Sequence, residues 1–215
     1  MALATMNFFS KSLMRTVTIN VVIPTGKIVF PGMPVPEKKP FKTLYLLHGI
    51  LGNYTDWVTG TRIQALANDR NLCVVMPSGD NKFYCDSALS GDKYGSFIAK
   101  DLVEFIQDTF PVSKAREDTI IGGLSMGGFG SIVNALRNPD TFGYVCALSS
   151  ALIKEGILHS VNEPGRDFFT RRQYETLFGV EKVEDYAGSE NDYEALADGL
   201  KDAPNKPKIY MACGT

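Results

Sequence analysis

A chain of 215 residues, 44% of them hydrophobic, carries enough apolar side chain for one sizeable core, and a second domain would be undersized. A net charge of −2 without long runs of like charge argues against nucleic acid and charged membrane surfaces as partners. No apolar stretch approaches a membrane span, and Met1-Ala-Leu-Ala-Thr-Met-Asn-Phe-Phe-Ser10 lacks the basic start and long apolar centre of a signal peptide.

In chain order, Val17-Thr-Ile-Asn-Val-Val-Ile23 alternates as a strand does, and Pro24 stops it. The proline-rich stretch from there to Pro40 reads as a loop or hairpin and not as a domain linker, because too little chain precedes it to fold alone. Leu44-Tyr-Leu-Leu-His48 is a continuous apolar run of the kind a parallel sheet buries on both faces, and Gly49 ends it. Residues 62–70 suit a helix with Ile63, Leu66 and Ala67 on one side, and Leu72-Cys-Val-Val-Met76 is the next buried strand. Residues 77–94 form a polar, aromatic, glycine-containing loop. A helix over 96–109 then carries Ile98, Leu102, Phe105 and Ile106 on one face, with Pro111 as its stop.

The centre of the chain is Thr119-Ile-Ile-Gly-Gly-Leu-Ser125-Met-Gly-Gly-Phe-Gly-Ser131, which reads as strand, sharp turn, helix. Its Gly123-Leu-Ser-Met-Gly127 is the G-x-S-x-G pattern, in which a strained turn lifts a serine hydroxyl above the end of a sheet. Gly123 and Gly127 stand where a side chain would collide with a neighbouring element. Phe129, Ile132, Val133 and Leu136 then recur at helical spacing until Asn138-Pro139. Tyr144-Val-Cys-Ala-Leu148 is another strand. Residues 153–207 change to charged, short, helix-like pieces, including 192–200, expected to form a cap inserted over the sheet. Lys208-Ile-Tyr-Met-Ala-Cys213 is the last apolar strand. This alternation predicts one α/β domain over 1–215 with a mostly parallel sheet. Ser125, His48-Gly49 and the loop after Pro77 fall at carboxyl ends of strands, where such sheets bind ligands. Cys73, Cys85, Cys146 and Cys213 lack metal-ligand or C-x-x-C spacing and are expected to be buried free thiols of a reducing compartment, which makes the cytoplasm the expected location. No metal or other cofactor is called for.

Three separated motifs resemble, in this order, the esterase D group of α/β-hydrolases, which includes S-formylglutathione hydrolases and small-acyl esterases such as tributyrin esterases. They are Leu46-Leu-His-Gly-Ile-Leu-Gly-Asn53 followed by Asp56-Trp57, Val75-Met-Pro-Ser-Gly79 with Phe83-Tyr84-Cys-Asp86, and Gly122-Gly-Leu-Ser-Met-Gly-Gly128. The resemblance runs from about Val17 to Thr215, and Arg116-Glu-Asp118 and Ala212-Cys-Gly-Thr215 fit its small-acyl branch. It implies an α/β-hydrolase with helices on both sheet faces, a small ester as substrate and Ser125 as the nucleophile that becomes an acyl-enzyme. Backbone N–H groups of Met126 and Ile50 would form the oxyanion hole, with Leu51 as the alternative to Ile50 and a place beside the substrate. Trp57, Tyr84, Asp86 and Tyr94 would line or support the acyl and alcohol pockets, or belong to the core. His48 precedes the nucleophile, whereas this fold runs serine, acid, histidine, so its expected role is to hold the oxyanion loop.

In the resembled group the catalytic acid follows the strand matched by Lys208 to Cys213, and the histidine follows one further strand. Both would lie beyond Thr215, so the expectation is a nucleophile and oxyanion hole without base or acid, a last strand left bare, and a 215-residue chain inactive on its own. Its own downstream segment would then be a partner, and a homo-oligomer is left open. His159, with Glu155 four residues ahead, keeps the chain order of a triad with Ser125 but asks one short segment to supply both partners. The readings carried forward are a short-acyl serine carboxylesterase, an S-formylglutathione-type thioesterase, and a catalytically silent hydrolase-like domain that binds an acyl ligand or a protein.

Overall fold

The computed structural model describes residues 1–26, 31–32 and 39–214. In chain order the strands and helices are β1 (Ala2–Ser10), β2 (Arg15–Ile23), β3 (Lys42–Leu47), α1 (Asp56–Gly60), α2 (Ile63–Arg70), β4 (Leu72–Pro77), α3 (Tyr94–Ser96), a π-helical turn (Phe97–Asp101), α4 (Leu102–Thr109), β5 (Thr119–Leu124), α5 (Met126–Arg137), β6 (Tyr144–Leu148), α6 (Lys154–Leu158), α7 (Arg171–Phe178), α8 (Tyr193–Gly199) and β7 (Lys208–Ala212). The strands form one sheet in the order β1-β2-β4-β3-β5-β6-β7. β1/β2 and β2/β4 pair antiparallel, and every pairing from β4 to β7 is parallel. This is the α/β-hydrolase arrangement expected from the sequence. The proline-rich stretch lies mostly outside the described residues.

The continuous apolar runs are explained by burial on both sheet faces. Tyr45 and Leu47 of β3 and Cys73 and Val75 of β4 face the main core with α4 and α5, which contribute Leu102, Ile106, Phe129 and Val133. Their neighbours Leu46, Val74 and Met76 face a smaller cluster closed by Ala67, Trp57 and Ile63. After β3 the chain goes to β4 on one side and then to β5 on the other. The loops leaving β3 and β5 therefore diverge at a topological switch point, and this crevice holds Ser125.

Four details differ from the sequence reading. The first ten residues include strand β1, whose even positions turn inward: Met6 and Phe8 pack against the core, and Phe8 stacks on Phe105 at 4.2 Å between ring centroids. Outward-facing Leu3 and Phe9 hid that alternation. Leu66 is exposed, so α2 buries only Ala67. All four cysteines are free, yet only Cys73 and Cys85 are buried, Cys146 is half-buried and Cys213 is exposed. The segment between β6 and β7 is polar on its surface but sends Tyr174, Phe178, Val183 and Tyr186 into the same core as α5. β7 is exposed at every position. No helix among the described residues is long and apolar enough to cross a membrane.

Candidate active site

β5 carries Ser125 to the switch point, and the backbone there turns with φ 55° and ψ −113°, a conformation that a non-glycine residue adopts only when its surroundings hold it. The holding contacts are visible. Ser125 N donates to Leu148 O at 2.9 Å, and Ser125 O accepts from Phe129 N and Ala151 N, both at 3.0 Å. A Cβ on Gly123 would lie 2.5 Å from the Gly127 carbonyl carbon and 2.7 Å from Leu47 O; one on Gly127 would lie 2.7 Å from His48 O. Only glycine lets α5 start this close to β3. Met126 opens α5, and N–H groups in the first turn of a helix have no intrahelical acceptor, so they face the Ser125 side with the positive end of the helix dipole.

The loop leaving β3 forms the opposite wall. Gly49 comes within van der Waals reach of the serine, a Cβ there lying 3.8 Å from Ser125 Cβ. The Gly49 carbonyl accepts from Gly52 N at 3.2 Å and from His48 Nδ1 at 2.6 Å. Gly79 N donates to His48 Nε2 at 2.8 Å, which places the imidazole proton on Nδ1. A trans peptide points its N–H opposite its C=O, so pinning the Gly49 carbonyl also directs the Ile50 N–H. That N–H has no acceptor among the described residues. Leu51 N is taken: it donates to Asn81 Oδ1 at 2.7 Å. Ile50 and Met126 therefore offer the unpaired donors beside Ser125.

Comparison with known proteins fits this geometry. The family model Esterase, with the description "Putative esterase", matches residues 10–215. The chain belongs to this esterase family. An acetyl esterase of Caldicellulosiruptor saccharolyticus is 39% identical over 215 residues, covering 100% of this chain and 80% of that protein. Two Staphylococcus aureus structures are similar over 100% of this chain. The substrate-bound fluorophosphonate-binding serine hydrolase F matches over 79% of its own chain at TM-score 0.81 and 29% identity. The S-formylglutathione hydrolase apoenzyme matches over 80% of its own chain at TM-score 0.78 and 30% identity. The protein is a serine carboxylesterase.

Of the residues expected to line or support the substrate pockets or to belong to the core, most serve in the esterase as supports. Tyr84 has no exposed surface: its hydroxyl donates to His48 O at 3.0 Å and its ring packs on Gly130 of α5, so it props the loop after β3 from below. Asp86 accepts from Ser96 N at 2.8 Å and Ser96 Oγ at 2.6 Å, fixing the start of the helix over 94–109. Trp57 Nε1 donates to Leu47 O at 3.1 Å, and its ring closes the smaller core. Tyr94 is buried and bonds Asp80 Oδ2 at 2.5 Å. Leu51, by contrast, is 76% exposed beside the site. Glu155 of α6 and His159, which caps that helix, form an exposed pair 3.5 Å apart, and His159 Nδ1 lies 2.9 Å from the Glu155 backbone carbonyl. No side chain among the described residues hydrogen-bonds to Ser125 Oγ. Residues 149–151 had drawn no attention in the sequence, and Asn81 was read only as part of the loop over 77–94; the signal for Asn81 was its place in an Asp-Asn turn, a dipeptide that tolerates left-handed backbone.

Burial holds the His48 imidazole below its ordinary pKa of 6.5, outweighing the Gly49 carbonyl that raises it. The unfolded chain therefore binds the proton more readily. The resulting stability is fully present above about pH 6.5 and is lost as pH falls through the folded value. Unfolding free energies between about pH 7 and pH 5 should fall more steeply in the wild type than in His48→Gln. Equal slopes would remove the coupling.

Proposed function

We propose that Ser125 is the nucleophile and that the enzyme hydrolyses short-chain acyl esters through an acyl-enzyme. The observation that carries this is Ser125 held on its strained turn between two unpaired N–H groups, those of Ile50 and Met126. Ser125 Oγ bonds to the ester carbonyl carbon, the carbonyl oxygen becomes an oxyanion between the two donors, and collapse breaks the bond to the alkoxy oxygen. The serine proton passes by way of a base to the leaving alcohol; water then attacks the acyl-enzyme and releases the acid. Each oxyanion donor is worth about 10²–10³ in rate. The base and its orienting acid are proposed to come from outside the 215 residues, as the resemblance implies. Support comes from the two histidines at hand: both ring nitrogens of His48 are engaged by backbone, and His159 stands exposed at the end of α6. The free cysteines favour a reducing, cytoplasmic setting.

Acyl groups of roughly two to four carbons are the expected substrates, because the segment between β6 and β7 turns Tyr174, Phe178, Val183 and Tyr186 into the core and so keeps these side chains from a fatty chain. The 39% identical acetyl esterase supports this size. kcat/KM on p-nitrophenyl esters should be highest for acetate to butyrate and fall beyond. A steady rise past about eight carbons would overturn the short-acyl reading. The 30% identical S-formylglutathione hydrolase favours a second reading, thioester hydrolysis, and S-formylglutathione assayed beside p-nitrophenyl acetate separates the two.

A further inference from the structure

Asn81 grips the oxyanion loop from across the crevice. Its side-chain carbonyl accepts Leu51 N at 2.7 Å, and both ends of this bond have left-handed backbone: Leu51 at φ 67° and Asn81 at φ 58°, with Asp80 beside it at φ 44°. Asparagine and aspartate tolerate that region, whereas leucine is strained in it. Leu51 is 76% exposed, so no packing compensates its strain. The turn that presents Asn81 is itself anchored. Asp80 Oδ2 accepts from Arg15 Nη2 and from the Tyr94 hydroxyl, both at 2.5 Å, tying it to β2 and to the start of α3. Gly79 N is fixed on His48 Nε2, and Lys82 N donates to Gly79 O at 2.8 Å.

Two consecutive peptides decide where the Ile50 N–H points. The Gly49–Ile50 peptide is held at its carbonyl by His48 and Gly52. The Ile50–Leu51 peptide is held at its N–H by Asn81 alone among the described residues. We propose that Asn81 is a positioning residue of the esterase, whose side-chain carbonyl keeps Leu51 left-handed and thereby keeps the Ile50 N–H aimed at the oxyanion. The strain at Leu51 and the worth of one hydrogen bond are of the same order, so removing the bond releases the loop. This rests on the reading of Ile50 N–H as an oxyanion donor.

Asn81→Gly in the full-length enzyme tests it, because glycine accepts the left-handed backbone at 81 and removes only the acceptor. kcat for p-nitrophenyl acetate should fall about 10- to 100-fold with KM changed less than about threefold, the pattern of a donor used in the transition state. Affinity for methylboronic acid, which forms a tetrahedral anion on the nucleophile, should fall by the same factor, while the melting curve stays cooperative. Asn81→Asp, which restores an acceptor on a tolerated backbone, should regain at least about threefold in kcat. A folded Asn81→Gly enzyme with wild-type kcat, a loss confined to KM, or equal kcat in the glycine and aspartate variants would overturn the proposal. Ser125→Ala run alongside separates the two levels. If it is dead while Asn81→Gly is unimpaired, only the Asn81 role fails; if it is active, the nucleophile reading itself fails.

Discussion

Ser125→Ala should lower ester turnover by about 10⁴–10⁶ in kcat, leaving only what binding and the oxyanion donors supply over water. The size follows from the proposed role of Ser125, whose hydroxyl would bond to the acyl carbon, and neither neighbouring serine stands on the strained turn ahead of α5. Ser149 directly follows β6, and Ser150 Oγ is buried against Gly128 without a hydrogen-bond partner among the described residues. In the complete protein a fluorophosphonate probe should add one label to the wild type and none to Ser125→Ala, read by intact mass. His159→Ala should keep turnover within about twofold, since an exposed imidazole at the end of α6 contributes little to the site. Labelling that persists on another serine after Ser125→Ala would move the nucleophile; a collapse of activity in His159→Ala would bring its pair with Glu155 back into the mechanism.

Gly127→Ala should destabilise the protein by about 3 kcal/mol, and the same change at Gly156 should stabilise it by about 0.5–1 kcal/mol. The two glycines differ in what a methyl group would meet. At Gly127 it runs into the carbonyls of Leu47 and His48, backbone atoms at the end of β3 that cannot yield without moving the loop opposite Ser125. At Gly156, inside α6, the nearest atom is Ile153 Cβ at 4.0 Å, and alanine gains helix propensity. Denaturant midpoints of both variants, measured with wild-type slopes, check the sign as well as the size. Because β3 runs into the loop opposite Ser125, Gly127→Ala should also depress kcat in whatever fraction remains folded. A Gly127→Ala protein of wild-type stability would mean that α5 can withdraw from β3, and the crowded elbow would lose its structural meaning.

By itself the sequence determined the rhythm of strands and helices from β2 to β7, the strand–turn–helix around Ser125, and the nearness of the loops after β3 and β4 to that turn. Those features are local. Apolar periodicity within a segment reports which faces are buried, and Gly123 and Gly127 report a close approach whatever lies on the other side. Tertiary structure alone decided the rest. β1 escaped notice because Leu3 and Phe9 point outward, and only its pairing with β2 shows which alternate positions face in. Tyr84, Asp86 and Trp57 stood beside the site in the motifs, but their polar atoms found backbone partners first: the His48 carbonyl, Ser96 N and the Leu47 carbonyl. The choice between Ile50 and Leu51 as donor was open in the sequence, since either N–H follows the same glycine. Only the fold shows that Asn81, 30 residues away, takes the Leu51 N–H, which favours the proposed Ile50 donor. A side chain's partner across the sheet depends on register and crossing, which no local pattern encodes, and a buried polar group accepts whichever partner the fold brings to it.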